Sequence, residues 1–146
     1  MGTPDFAVPS LISLDDNEYD IRAVVTQPDR PKGRGRKVIS PPVKMAAIAR
    51  GFDILQPQSI RTHTFADALK AMAPDLLIVV AFGHVLPKHI LAVPRKGAVN
   101  VHASLLPKYR GPAPIQWAVI NGETRTGVTT MLMDEGVDTG PILERR

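Results

Sequence analysis

Cysteine is absent from this chain of 146 residues, which excludes disulfide bridges and metal sites built on thiolates. A reducing, cytoplasmic compartment is therefore the setting that we expect. Long apolar runs are also missing, because the longest, LLIVVAF at 76–82, is too short to span a bilayer. No basic and then apolar signal segment opens the chain. These absences predict a soluble protein without a membrane partner.

The composition is that of a single globular domain, with 44% hydrophobic and 22% charged residues. A chain of this length is long enough to bury a hydrophobic core. The net charge of +4 is unevenly distributed, since five of the 18 lysines and arginines lie between Arg30 and Lys37. This cluster says more about the partners of the chain than the total charge does.

Apolar segments alternate with helix-like segments along the chain. Four β-branched, almost continuously apolar segments are typical of strands that are buried on both faces of a parallel sheet. These strands are predicted at 21–26, 76–81, 97–102 and 127–133, with a weaker one at 52–57. Helices are predicted at 5–14, 41–50, 64–72, 86–92 and 113–121, and Trp117 in the last of them is expected in the core. The alternation predicts an α/β fold with right-handed βαβ units and a doubly wound, mostly parallel sheet.

Two polar side chains, Asn100 and His102, end the predicted strand at 97–102. Their spacing places both on the same face of the strand, at the edge where open α/β sheets bind ligands. An amide beside an imidazole offers a fixed hydrogen-bond donor and a titratable group, which together stabilise an oxyanion and move a proton. The alternative is that both side chains only satisfy nearby backbone groups, and spacing alone slightly favours that alternative.

An acidic loop follows the predicted strand at 127–133, and it contains Asp134, Glu135 and Asp138. A carboxylate near an imidazole orients the ring and favours its charged form. A solvated acidic turn is the alternative for any one of these residues. Because the loop follows another strand end, a site shared with His102 is plausible on the sequence.

Two motifs carry a family resemblance. NVHASLLPKYRG at 100–111 resembles the signature of the folate-dependent formyltransferases, and GVDTGPI at 136–142 resembles the loop that carries their catalytic aspartate. The segments 2–11 and 26–37 resemble the branch of that family that formylates methionine on the initiator tRNA for translation initiation. The resemblance covers essentially the whole chain and implies a Rossmann-like fold. It also implies a location in the bacterial cytoplasm or an organellar matrix.

The resemblance implies the transfer of a formyl group from 10-formyltetrahydrofolate to the α-amino group of methionyl-initiator tRNA. In the implied mechanism Asn100 and His102 bind the oxyanion, and Asp138 polarises His102 and helps the proton leave the amine. One oxyanion donor is typically worth about 3 kcal/mol of barrier. The mechanism needs no metal.

Two segments resemble the folate-binding parts of the family. The positions implied are Gly83, His84, Val85 and Leu86 in the first segment and Ser104, Leu105, Leu106 and Pro107 in the second. Backbone groups of the first segment are expected to bond the pterin ring, and His84 is expected to have no catalytic role. For the leucine pair, plain burial in the core is the alternative.

The basic cluster contains prolines and glycines, so we expect an exposed, mobile loop. It resembles the family's loop that contacts the acceptor end of the tRNA. The residues implied are Arg30, Lys32, Arg34, Arg36 and Lys37, with Arg34 as the principal one. A solvated basic loop is the alternative, and on the loop alone it is the better one.

Compared with the family pattern, residues 1–146 are expected to form an incomplete catalytic domain. The first strand before Gly2 and a C-terminal tRNA-binding domain are expected to be missing, and the fragment is expected to be a poorly folding, weakly active monomer. Two other functions remain open, a formyltransferase for a small amine and an inactive RNA-binding fragment. A dinucleotide-binding dehydrogenase has little support, because GRGRK is not the G-x-G-x-x-G fingerprint.

Overall fold

Strands and helices alternate along the residues that the computed structural model describes, 1–32 and 37–146. The strands are β1 (Val24–Val25), β2 (Arg30–Lys32), β3 (Lys37–Ile39), β4 (Ile54–Leu55), β5 (Leu77–Val80), β6 (Ala98–His102), β7 (Thr129–Leu132) and β8 (Ile142–Arg145). The helices are α1 (Val8–Asp16), α2 (Pro42–Ala49), α3 (His63–Met72), α4 (Lys88–Leu91) and α5 (Pro114–Ile120), and a 3-10 turn, Asp5–Ala7, precedes α1. Every predicted helix is present within a few residues of its predicted bounds.

The sheet changes from parallel to antiparallel along its width. β1 pairs in parallel with β4, and β5 pairs in parallel with β6. β7 then joins β6 antiparallel, and β8 joins β7 antiparallel. The α/β class and a mostly parallel sheet were predicted, whereas β8 and the antiparallel direction of β7 were not.

Met1 and Gly2 lie between the two parallel pairs and connect them. The Gly2 amide donates to the Val25 carbonyl at 3.0 Å, and the Val80 amide donates to the Met1 carbonyl at 2.9 Å. Gly2 also forms a parallel bridge with Val80. The Val25 carbonyl of β1 and the Val80 amide of β5 therefore have partners, at the position where the sequence predicted a missing strand.

Helices cover both faces of this sheet, as a doubly wound fold requires. One core holds the apolar residues of α3 and α4, namely Phe65, Ala66, Leu69 and Ile90, with Val25 and Val79 from the strands. The other core holds Leu11, Val43 and Ala47 from α1 and α2, with Val24 and Val80. Neighbouring valines of one strand belong to opposite cores because side chains alternate across a strand.

Two expectations about single elements were wrong. Residues 30–32 and 37–39 form an antiparallel hairpin, with Arg30 opposite Ile39, where the sequence predicted a loop without strands. Pairing gives their backbone groups hydrogen-bond partners despite the proline. Trp117 is 49% exposed on α5 and does not belong to the core.

None of the helices in the described part of the chain combines the length and apolar character needed to cross a bilayer.

Candidate active site

Asn100 and His102 lie on β6, which is flanked on both sides by hydrogen-bonded strands. Asn100 pairs in register with Val79 of β5 and Met131 of β7, and His102 pairs with Thr129. His102 is 7% exposed. Because the two side chains are two residues apart, the fixed strand turns both to the same face of the sheet.

Asp138 lies in the loop that follows β7 and contacts both of these side chains. The Asn100 amide donates to Asp138 Oδ1 at 2.9 Å, and His102 Nδ1 lies 3.4 Å from Asp138 Oδ2. The Gly111 backbone amide also donates to Oδ2, at 2.9 Å. Asp138 has a φ of 53°, in the left-handed region that few residues other than glycine adopt. The loop therefore accepts an unfavourable backbone conformation where it presents this carboxylate to β6.

The second nitrogen of the His102 ring is also occupied. Its Nε2 lies 2.8 Å from the backbone carbonyl oxygen of Tyr109. A carbonyl oxygen only accepts, so Nε2 carries the proton of this bond. Nδ1 then faces the Asp138 carboxylate, and both contacts are attractive together when both ring nitrogens carry protons.

Of the three acidic residues in the loop, Asp138 is the one that reaches the imidazole. Asp134 accepts hydrogen bonds within its own loop, from the Gly136 amide at 2.9 Å and the Thr139 hydroxyl at 2.7 Å. Glu135 pairs with Lys88 at 2.8 Å, and this contact raises the pKa of the Lys88 ammonium. The sequence offered three carboxylates, and the tertiary structure brings one of them to Asn100 and His102.

Asn100, His102 and Asp138 line a cavity of about 720 Å³. The other walls are mainly apolar. They come from the 3-10 turn, the segment after β5, the start of α5 and the loop after β7. The lining residues include Pro4, Phe6, Phe82–Leu86, Gly111–Gln116, Met133 and Val137. Apolar walls with a few convergent polar groups are typical of small-molecule sites, whose volumes are about 300–1,000 Å³. The cavity therefore has the size and lining for an organic ligand.

The first predicted folate segment, Gly83–Leu86, lines this cavity. The His84 ring stands edge-on to Phe82, with 5.4 Å between the ring centroids. Gln27 Nε2 donates to the Phe82 carbonyl at 2.9 Å, and a Cβ on Gly83 would lie 2.5 Å from that nitrogen. Gly83, with a φ of +83°, therefore meets both a steric and a conformational requirement for glycine.

The second predicted folate segment, Ser104–Pro107, lies outside the lining residues of the cavity. Ser104 is fully buried, and its hydroxyl donates to the Lys108 carbonyl at 2.6 Å. The Leu106 amide donates to the Thr129 hydroxyl at 3.1 Å, and that hydroxyl donates to the Ser104 carbonyl at 2.7 Å. These bonds fix the turn behind β6 and β7, and folate contact by this segment stays a prediction.

Three of the basic residues predicted to contact tRNA lie on the strands β2 and β3. Arg30 is exposed on β2, and Lys32 and Lys37 are hairpin positions. Arg34 and Arg36 lie outside the described residues, as do the side chains of Lys32 and Lys37. An RNA contact by this cluster therefore stays a prediction.

Asp29 anchors the base of the hairpin, which the sequence analysis missed. Its carboxylate accepts hydrogen bonds from Gln56 at 2.9 Å, Lys44 at 2.7 Å and Ser40 at 3.0 Å. The Gln56 amide, followed by the Lys44 ammonium, holds the pKa of this carboxyl below its usual value. The partners come from two other parts of the chain, residues 40–44 and Gln56, so only folding reveals them.

The residues that the structure describes contain no group of three His, Asp or Glu side chains arranged to hold a metal ion.

The family profile described as Formyl transferase matches residues 1–146. The chain belongs to the formyl transferase family. The fold and the meeting of the two family motifs at one cavity agree with this membership.

Curated members of the formyl transferase family match over the full chain. This chain is 58% identical over 146 residues to the methionyl-tRNA formyltransferase of Pelobacter propionicus. The match covers all of this chain and 46% of that relative. The chain is 59% identical over 143 residues to that of Pelotomaculum thermopropionicum, covering 98% of this chain and 46% of the relative. The chain thus spans about half the length of the curated relatives that it matches.

Solved structures of formyl transferases share the fold at low sequence identity. The phosphoribosylglycinamide formyltransferase of Streptococcus pneumoniae superposes with a TM-score of 0.76 at 19% identity, covering 99% of this chain and 77% of that one. The sugar 3N-formyl transferase WlaRD, solved with dTDP and 5-N-formyl-THF, gives a TM-score of 0.63 at 21% identity, covering 99% and 48%. At these identities the comparison shows a formyl transferase fold, as the sequence predicted.

Proposed function

We propose that this chain forms the catalytic part of an enzyme that transfers a formyl group from 10-formyltetrahydrofolate to the α-amino group of methionyl-initiator tRNA. The observation that carries the proposal is the contact of Asn100, His102 and Asp138 at the wall of an apolar cavity of about 720 Å³. Relatives at 58% and 59% identity bear the name methionyl-tRNA formyltransferase, which supports the choice of acceptor.

The first step needs stabilisation of negative charge. The α-amino nitrogen attacks the formyl carbon, and the formyl oxygen becomes an oxyanion on a tetrahedral carbon. Asn100 has two amide hydrogens, and Asp138 accepts one of them, so the other is free to donate to the oxyanion. An oxyanion donor such as the Asn100 amide is worth about 3 kcal/mol. His102, when protonated, adds positive charge beside it.

The second step moves one proton and breaks one bond. The attacking amine becomes positively charged, and the Asp138–His102 pair, 3.4 Å apart, takes up its proton. The bond between the formyl carbon and the folate nitrogen N10 then breaks, and the proton ends on N10. General acid–base assistance of this kind contributes about 10²–10⁴-fold.

The two substrates require different surfaces. In this proposal the Gly83–Leu86 segment bonds the folate ring inside the cavity. A folate contact by Ser104–Pro107, outside the cavity lining, stays a prediction. The basic cluster at 30–37 binds RNA phosphates, and the enzyme works as a monomer in the bacterial cytoplasm.

Formylation of methionyl-initiator tRNA with 10-formyltetrahydrofolate tests the proposal. We expect His102→Ala to lose activity by at least about 10²-fold, because it removes both the charge and the proton relay. His63→Ala, at an exposed position on α3, is the matched control and should retain activity.

The salt dependence of acceptor binding separates the alternatives. Binding of tRNA through several phosphates weakens steeply with salt, whereas binding of a small amine changes little. A shallow salt dependence with activity on an amino sugar or glycinamide ribonucleotide would contradict the tRNA acceptor. RNA binding without folate binding would indicate the inactive RNA-binding fragment instead.

A further inference from the structure

The carbonyl that contacts His102 belongs to a residue whose side chain is held firmly outside the cavity. The Tyr109 hydroxyl donates to Glu123 Oε1 at 2.7 Å and accepts a hydrogen bond from the Asn121 amide at 3.1 Å. The same residue presents its backbone oxygen to His102 Nε2 at 2.8 Å. Tyr109 therefore links the polypeptide after α5 to the imidazole of the candidate site.

The backbone on both sides of Tyr109 is fixed as well. The Ser104 hydroxyl donates to the Lys108 carbonyl at 2.6 Å, and the Gly111 amide donates to Asp138 Oδ2 at 2.9 Å. Tyr109 itself has a φ of 57°, in the left-handed region that disfavours a residue with a Cβ. A residue in this conformation stays there when its surroundings hold it, and here the phenol contact supplies part of that constraint.

Glu123 is well suited to hold the phenol. The Tyr109 hydroxyl, followed by the Lys108 ammonium at 3.0 Å, holds the pKa of the Glu123 carboxyl below its usual value. The group is therefore a carboxylate near neutral pH, and a carboxylate is a stronger acceptor for a phenol than a neutral oxygen is.

We propose that Tyr109 and Glu123 are positioning residues for His102, because their contact keeps the Tyr109 carbonyl on Nε2 and so sets which ring nitrogen carries the proton. The two neighbours of the ring make opposite demands, since the carbonyl requires a proton on Nε2 and the Asp138 carboxylate favours one on Nδ1. With the carbonyl in place, a neutral His102 is the Nε2–H tautomer. The benefit to catalysis rests on the formyl transfer proposed above.

Deleting one heavy atom, the Tyr109 hydroxyl oxygen, removes the contact between the phenol and Glu123. Tyr109→Phe deletes the hydroxyl and leaves the ring, and Tyr19→Phe makes the same change at a position that is 65% exposed. Glu123→Gln retains an oxygen that accepts from the phenol, whereas Glu123→Leu has none. These pairs separate loss of the contact from a general effect of substitution.

Nitrogen-15 spectra of the imidazole rings in the 146-residue chain report the tautomer without requiring activity. His102→Gln identifies the His102 signals among the four histidines. At a pH where the ring is neutral, we expect Nε2–H in the parent, in Tyr19→Phe and in Glu123→Gln. In Tyr109→Phe and Glu123→Leu we expect a shift towards Nδ1–H, because Asp138 then decides the position of the proton.

Kinetics give the second readout. In Tyr109→Phe we expect kcat for formylation to fall about 10-fold or more with little change in the KM for folate, since a misplaced catalytic group lowers turnover more than binding. Identical His102 spectra in Tyr109→Phe and Tyr19→Phe would overturn the proposal. A tautomer shift in a chain whose parent form shows no formylation would support the positioning role and contradict the proposed function.

Discussion

Single hydrogen bonds decide which polar residues of this chain support its structure and which remain available to a ligand. Thr26 and Thr129 are both fully buried. The Thr129 hydroxyl has two backbone partners, but Thr26 Oγ1 finds none among the residues that the structure describes. Asn100 has one hydrogen bond to Asp138 and a second amide hydrogen to offer. The two buried threonines thus differ in role, because only the Thr129 hydroxyl supports the backbone around it.

The two threonines form a matched pair for a stability measurement. We expect Thr26→Val to raise the free energy of unfolding by about 1 kcal/mol, because it removes a buried hydroxyl without a partner. Thr129→Val should lower that free energy by about 1–3 kcal/mol, since it leaves the Leu106 amide and the Ser104 carbonyl without their partner. Urea denaturation of both variants checks this, and a destabilised Thr26→Val would mean that its hydroxyl bonds a buried water.

At the scale of elements, the β2–β3 hairpin shows how a polar anchor replaces a hydrophobic one. Val38 and Ile39 of the hairpin are exposed, so it has little core of its own. Its base is held instead by Asp29, which gathers Ser40, Lys44 and Gln56 from beyond the hairpin. The proposed RNA-binding element is therefore attached to the domain through a carboxylate.

This anchor predicts a pH dependence. The pKa of Asp29 is lowered in the folded chain, so its stabilising effect is complete above the unfolded value near 4 and is lost as the pH falls through the folded value. We expect Asp29→Asn to be less stable than the parent at neutral pH, with the difference vanishing in acid. Unfolding curves at several pH values measure it, with Asp20→Asn, an exposed partner of Arg22, as the control. A difference that persists in strong acid would contradict the role of the charge.

At the scale of the whole molecule, two backbone residues connect the halves of the sheet. Met1 and Gly2 bridge β1 and β5, because the Gly2 amide donates to the Val25 carbonyl and the Val80 amide donates to the Met1 carbonyl. The connection between the two parallel pairs is therefore made by backbone hydrogen bonds.

Local pattern was enough to predict much of the sheet and the two halves of the site. The apolar runs predicted β5 and β6 closely, and strand alternation placed Asn100 and His102 on one face. The sequence could not show that Tyr109 O and Gly111 N reach His102 and Asp138, because backbone groups carry no sequence signal. It also missed the exposure of Trp117, since an apolar helix does not reveal how much of its surface has a neighbour to pack against.

The sequence by itself determined the α/β class, the helices, a mostly parallel sheet and the placing of Asn100 and His102 on one face of a strand. These depend on periodicity and on short motifs, which are local properties of a chain. Only the tertiary structure decided that β7 runs antiparallel, that the Tyr109 carbonyl and the Gly111 amide reach His102 and Asp138, and that Gly83–Leu86 rather than Ser104–Pro107 lines the cavity. Those outcomes depend on contacts between residues far apart in sequence, and such contacts form only when the chain folds as a whole.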